Sequence, residues 1–251
     1  MHSVKVGCAG WSIARRDASH FGVGDSMLAR YATRFPVVEI NSSFYRPHQQ
    51  KTYRRWAEAV PEAFRFSVKV PRTISHDHAL SGCGHLLDRF LSEVEGLGAR
   101  LGGLLLQLPP RLSLDPRTAS TFFRMLRNRT DAPLVLEPRH ASWFAPGVEA
   151  RLRRYRVSRV AADPALSAQA RRPGEGATWP YWRWHGSPRM YYSAYSAEAL
   201  RDLASAVTAR SAAPLPAWVI FDNTAHGFAT GNALSFQRML DPAPTGNLRR
   251  A

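Results

Sequence analysis

Polar residues two apart at the ends of apolar runs are the chemically informative feature of this sequence. Glu39 and Asn41 flank Ile40, Glu137 and Arg139 flank Pro138, and Arg183 and His185 flank Trp184. On an extended strand, residues two apart share a face, so each pair is aimed together. Lys69, Gln107, Asp163, Asp222 and Asn223 end further apolar runs. A carboxylate taken out of water needs a cationic partner or it neutralises. Glu39 and Glu137 are therefore read as acid–base candidates, with His185 as a third group able to hold or pass a proton. Lys69, Arg139 and Arg183 supply positive charge: they either pair with these carboxylates in a buried network that closes the barrel top, or hold a ligand, a guanidinium fork matching the paired oxygens of a carboxylate or phosphate.

A metal centre is the competing reading. It needs three or more well-placed ligands and an open coordination position. Glu39, Glu137, Asp163, His185, Asp222 and His226 offer such ligands, as does the His76-Asp77-His78 cluster. The cations at the same strand ends oppose it, and Asp163 and Asp222 are also placed to cap following helices. No cofactor is expected, with a divalent metal as the alternative.

Other residues fill out a binding surface. Trp11, Tyr45, Trp143 and Tyr192 are candidate aromatic platforms for a sugar or a base, and His76, His140 and Asn223 are candidate polar contacts. Glu39 and Glu137 on opposite sides of a mouth also fit glycosidic-bond hydrolysis. The loops His185-Gly186-Ser187 and His226-Gly227-Phe228, running on to Asn232, place glycines where a barrel holds phosphate. No Gly-x-Ser-x-Gly elbow is present, and Cys8 reads as a core residue.

Eight short runs must position these groups: Val4–Cys8, Val37–Ile40, Phe64–Val70, Gly103–Leu108, Leu134–Glu137, Val157–Ala162, Tyr181–His185 and Trp218–Asp222. Stripes at helical spacing lie between them, such as Leu86, Leu87, Phe90, Val94 and Leu97. Alternation of strand and helix predicts a parallel sheet. Eight units in this length predict an α/β protein that is a single TIM-type (β/α)₈ barrel, with its site where the strands end. Pro71, Pro109, Pro138 and Pro164 mark those ends, because proline cannot donate to a central ladder. One domain is expected over residues 1–241, with an irregular loop from Arg171 to Gly176 and a flexible tail over 242–251.

The formal charge of +15 fits an anionic partner, nucleic acid included. Lysine is scarce, though, which also fits a genome that favours arginine. The arginines are scattered in pairs such as Arg15-Arg16 and Arg153-Arg154. Two cysteines are too few for a disulfide framework. No apolar run approaches the roughly 20 residues that span a bilayer. The expectation is a cytoplasmic protein with no membrane partner, of unassigned oligomeric state.

The strand-end strings resemble those of a known family. Gly7-Cys8-Ala9-Gly10-Trp11, Glu39-Ile40-Asn41-Ser42-Ser43-Phe44-Tyr45 and Phe66-Ser67-Val68-Lys69-Val70-Pro71 are similar to signatures of the YecE-like family, the domain of unknown function numbered seventy-two. Gln107-Leu108-Pro109-Pro110, Glu137-Pro138-Arg139-His140-Ala141-Ser142-Trp143, Arg183-Trp184-His185-Gly186 and Gly227-Phe228-Ala229-Thr230-Gly231-Asn232-Ala233 extend the likeness over most of the chain. The resemblance implies a TIM-barrel fold and supplies no activity. The likeness of such barrels to DNA-repair endonucleases makes nucleic acid a suggested ligand. This chain departs from the pattern at Cys8-Ala9, over Ser12–Asp17 and at Asp222-Asn223-Thr224.

Together these readings lead to an enzyme, hydrolase or lyase, acting on a small anionic or phosphate-bearing ligand. The alternatives are a nucleic-acid-binding module and a metal-dependent, endonuclease-like hydrolase.

Overall fold

A computed structural model describes residues 4–175, 177–209 and 213–240. The expected tail over 242–251 and Gly176 of the irregular loop lie outside the described residues. The strands are β1 Val4–Cys8, β2 Val37–Ile40, β3 Arg65–Lys69, β4 Leu101–Gln107, β5 Leu134–Glu137, β6 Val157–Arg159, β7 Ala161–Asp163, β8 Tyr181–Trp184 and β9 Ala217–Phe221. The α-helices between and after them are α1 Met27–Ala32, α2 Gln50–Glu58, α3 Gly84–Val94, α4 Pro116–Arg127, α5 Val148–Arg154, α6 Ala197–Thr208 and α7 Phe228–Leu240. Among the described residues, no helix is long and apolar enough to cross a membrane.

The fold is mixed α/β with parallel pairing throughout, but its ladders form two sheets. One runs β1-β9-β8-β7 and the other β2-β3-β4-β5-β6. The single closed ladder expected from the sequence is not what the hydrogen bonds form, for two local reasons. The run expected over Val157–Ala162 changes partner midway. Its first half pairs with β5, Val160 N–H donates to Leu136 O at 2.9 Å, and its second half pairs with β8. At the other seam β1 and β2 form no ladder among the described residues; a parallel bridge just beyond β1 joins Ala9 to Glu39, where Gly10 N–H donates to Glu39 O at 2.8 Å.

Helix α4 shows how local sequence sets an element. Asp115 caps it, accepting from Thr118 N–H at 2.7 Å, and Pro116 occupies the first turn, where its missing N–H costs nothing. Ala119, Phe122, Phe123 and Leu126 then recur at helical spacing and are buried. Each large apolar side chain so buried contributes about 1.5–3 kcal/mol.

Two apolar clusters follow from the two faces of the strands. The larger, with Val38, Ile40, Phe66, Val68, Leu104, Leu106 and Trp182, joins strands to helices. The smaller draws Val37, Leu105, Val135, Trp179, Tyr181, Trp218 and Ile220 from both sheets. Gly102 and Gly103 make room for its two tryptophans. A Cβ on Gly102 would lie 2.8 Å from the Trp218 ring, and one on Gly103 would lie 2.4 Å from that of Trp179.

Candidate active site

The smaller cluster sets the site. Two residues beyond its members Val37, Val135, Tyr181 and Ile220 come Glu39, Glu137, Arg183 and Asp222, and two beyond Leu105 comes Gln107. Period-two geometry thus carries one face from apolar interior to charged strand ends. Lys69 joins through Ser67, two residues earlier, whose hydroxyl bonds the Tyr181 hydroxyl at 2.8 Å.

Arg183 is the hub, with 0% exposure that leaves it no contact with solvent. Its Nε and Nη2 fork onto the two Glu39 oxygens at 2.9 and 2.6 Å. Nη1 donates to Glu137 Oε2 at 2.6 Å, and Nη2 also reaches Asp222 Oδ2 at 2.9 Å. Four of the five N–H groups of a guanidinium are therefore committed to carboxylates. Tyr181 Oη donates to Glu39 Oε2 at 2.9 Å. These contacts correct two sequence expectations. Arg183 has no fork left for a ligand anion, and Glu39, fully buried and tied on both oxygens, is no free acid or base.

His185 lies beside this hub. Its Nδ1 is 3.0 Å from Asp222 Oδ2 and its Nε2 is 3.0 Å from Glu137 Oε1. Arg139 Nη2 lies 2.8 Å from the same Nε2 and also pairs with Glu137. Burial works against ionisation of Glu137, but the charges of Arg139 and Arg183, then His185, hold it well below the usual carboxylate range. Asp222 is likewise lowered: Arg183 and the His185 hydrogen bond outweigh its burial. Lys69 Nζ sits over the Phe44 ring, 4.2 Å from its centroid. Burial, aided by the charge of Arg183, lowers its amine to about 8.

The remaining candidates divide. Arg139 is half-buried, with Nε buried and unpartnered among the described residues. Asn41 is half-buried with its Oδ1 in the same condition, and Gln107 is half-buried at the end of β4. His76 packs edge-on against Phe44 and bonds Ser75 Oγ at 2.9 Å. Burial and then the charge of Lys69 lower its imidazole. Tyr45 is 71% exposed, open to a ligand, whereas Trp11 packs edge-on against Trp56.

Others serve the scaffold. Trp143 is buried and donates through Nε1 to Leu112 O at 3.0 Å, so it is no platform. His140 caps the short helix Ala141–Phe144, its Nδ1 accepting from Ser142 N–H at 3.2 Å. Asp163 falls on the other face of its strand, accepting from Tyr195 Oη at 2.7 Å. Asn223 donates to Ser193 O and to Asn232 Oδ1, and Asn232 bonds the Tyr195 backbone on both sides. These two asparagines pin the loop after β8, and Asn223 Oδ1 is buried and unpartnered among the described residues. Gly227 gives its N–H to Thr224 O at 3.0 Å, which removes it as a phosphate donor. Tyr192 is exposed under the Arg189 guanidinium.

Asp222, named in the sequence as a strand-end carboxylate with helix capping as an alternative, belongs with Glu39 and Glu137 through its contacts with Arg183 and His185. Sequence reasoning missed Tyr191, whose ring stands edge-on to His185 at 5.7 Å and whose φ of 68° is a left-handed value rare for an aromatic residue. A cleft of about 190 Å³ opens beside the site, with Phe44, Tyr45, Pro71 and Arg72 in its wall. Phe44 thus separates this cleft from Lys69. Among the described residues, no group of three or more His, Cys, Asp or Glu is arranged to hold a metal ion.

Comparison with known proteins places the chain in a family. The family described as "Protein of unknown function DUF72" matches residues 5–250. The protein YecE of Escherichia coli K12 is 34% identical over 128 residues, 51% of this chain and 46% of its own length. The chain thus spans about half the length of that relative. A DUF72 protein of Thermotoga maritima has a matching structure, with a TM-score of 0.79 and 25% identity over 96% of this chain and 100% of the other. A DUF72 protein of Enterococcus faecalis matches with a TM-score of 0.78 and 22% identity over 96% of each chain, a likeness of fold.

Proposed function

The chain belongs to the DUF72 family, and we propose that it is an enzyme moving a proton on a small anionic substrate at the strand-end mouth. The observation that carries this reading is the placement of His185 Nε2, within reach of a donor on Arg139 and an acceptor on Glu137. A ring nitrogen so placed has a hydrogen-bond partner whether or not it carries a proton. His185 is the acid–base group, and Asp222 orients its ring from the far side. Glu137, kept ionised by Arg139 and Arg183, stabilises the charged ring. Arg139 and Lys69 bind the anion, being the cations of the mouth not consumed by the hub. Arg183, Glu39 and Tyr181 keep the arrangement rigid.

The three carboxylates Glu39, Glu137 and Asp222 meet three cations, Arg139, Arg183 and Lys69. A protonated His185 adds the surplus positive charge that an anion would neutralise. In this reading the two sheets act as one barrel wall, and the proton chemistry serves bond cleavage, as in a hydrolase or lyase. A thermal-shift screen of small carboxylates and phosphates tests it. Stabilisation of the wild type that is lost in Arg139→Gln supports the reading. Equal stabilisation of both proteins contradicts it.

A nucleic-acid ligand is the second reading, favoured by the net charge of +15 and by exposed Tyr45, Tyr191 and Tyr192. Retention on DNA that falls steeply with salt supports it, and retention insensitive to salt excludes a phosphate-driven contact.

A further inference from the structure

Of 34 cationic residues only Lys5, Lys51 and Lys69 are lysine, and only Lys69 of the three is buried. Where positive charge alone is wanted this chain uses arginine almost everywhere. Arginine cannot lose its proton in a protein, whereas a desolvated lysine can and then becomes a nucleophile. Lys69 sits at the end of β3, on the face that Ser67 fixes through Tyr181. Its Nζ lies over Phe44, while the ion pairs of Glu39, Glu137 and Asp222 among the described residues are made with Arg139, Arg183 and His185. A lysine kept only to neutralise the nearby carboxylates would touch one.

Arg139 follows β5, two strands along the same sheet from β3. Strands lie about 4.8 Å apart, so roughly 10 Å separates the two backbones. Two long side chains can converge on one small molecule across that gap. Among the described residues Arg139 makes its contacts through Nη2, with Glu137 and His185. That leaves Nη1 for a ligand.

We propose that Lys69 is a nucleophilic amine that condenses with the carbonyl of a small 2-oxo acid whose carboxylate is held by Arg139. The Nζ lone pair forms a bond to the carbonyl carbon while the C=O π pair moves to oxygen, which takes up a proton. The nitrogen loses a proton, a second proton on oxygen lets it leave as water, and an iminium remains. One amine, one carbonyl and one net proton give one iminium and one water, with no oxidant or reductant. The iminium keeps the positive charge that the ammonium carried, so Glu39, Glu137 and Asp222 face an unchanged charge balance. Burial and the charge of Arg183 make the free amine available near pH 8. The proposal rests on the reading of the strand-end mouth as the site, and not on proton transfer at His185.

Reductive trapping tests it. Wild-type protein is incubated with glyoxylate or, separately, acetaldehyde, plus sodium cyanoborohydride, then digested, and the label at Lys5, Lys51 and Lys69 is quantified by mass spectrometry. With glyoxylate, label at Lys69 is expected to exceed that at Lys51 by roughly tenfold or more. With the neutral acetaldehyde this ratio falls, and Arg139→Gln brings the glyoxylate ratio down to the same level. Label confined to Lys5 and Lys51, or the same ratio with both probes, overturns the proposal. The wild-type ratio alone decides the matter if the variant fails to fold. Failure here alongside proton uptake with other anions would leave the His185 reading standing.

Discussion

Arg139 Nη2 lies 2.8 Å from His185 Nε2, on the nitrogen that also faces Glu137 Oε1 at 3.0 Å. A guanidinium can only donate, so where Arg139 sets the tautomer of the neutral ring, Nε2 is the acceptor and Nδ1 carries the proton, directed at Asp222. Nitrogen-15 NMR of the neutral imidazole should therefore find the proton on Nδ1. Arg139→Gln, which removes the charged donor, should increase the Nε2–H form. A neutral ring protonated on Nε2 in the wild type would mean that Glu137, and not Arg139, sets the tautomer.

Removing the hub should be costly. Arg183→Met leaves Glu39, Glu137 and Asp222 buried without their shared cation, and breaking a buried pair in this way costs about 3–5 kcal/mol. Arg183→Lys should recover little, because an ammonium cannot fork onto Glu39 while reaching Glu137 and Asp222. Urea unfolding of the two variants measures both effects.

Lys69 should oppose folding in a pH-dependent way. Its folded-state amine titrates at about 8 against an ordinary 10.5. Below 8 the amine is charged in both states and the full burial penalty applies. Between these values the unfolded chain holds a proton that the folded protein has lost, so this group's contribution to stability rises with pH. Lys69→Met should match or exceed the wild type in thermal stability at neutral pH. That advantage should shrink as the pH is raised toward 10.5. An advantage that grows with pH would reverse the sign of the account.

Trp143 should matter to the fold alone. It is buried, with its indole N–H on Leu112 O, so Trp143→Ala should cost about 3–5 kcal/mol in urea unfolding. The affinity of any ligand of the mouth, measured where the variant is folded, should not change.

Much of this site was legible in the sequence because a strand's period of two is a local property. Glu137 follows Val135 and Arg183 follows Tyr181 on the same face, whatever else the chain does. Proline at 71, 109, 138 and 164 marked the strand ends for an equally local reason. The pairings were not local: Glu39 and Arg183 are joined across 144 residues. An ion-pair network and a ligand fork were both open to Arg183, and nothing in either segment decides between them. Asp163 was grouped with the strand-end residues of the mouth, although period two places it on the outer face with Val157 and Ala161, opposite Val160 of the inner cluster. Trp143 was misjudged because one indole suits a core as well as a rim. The two-sheet pattern was hidden too, since closure depends on the seams at Ala9 and Val160.

The central claim is that an anion bound at Arg139 is coupled to the proton on His185. Isothermal titration of the wild type with inorganic phosphate and with pyruvate, each in two buffers of different ionisation enthalpy, tests it most directly. The account predicts binding of at least one anion with net proton uptake, an uptake that disappears in His185→Gln while the variant stays folded. Binding with the same uptake in wild type and His185→Gln, or binding undiminished in Arg139→Gln, would contradict it.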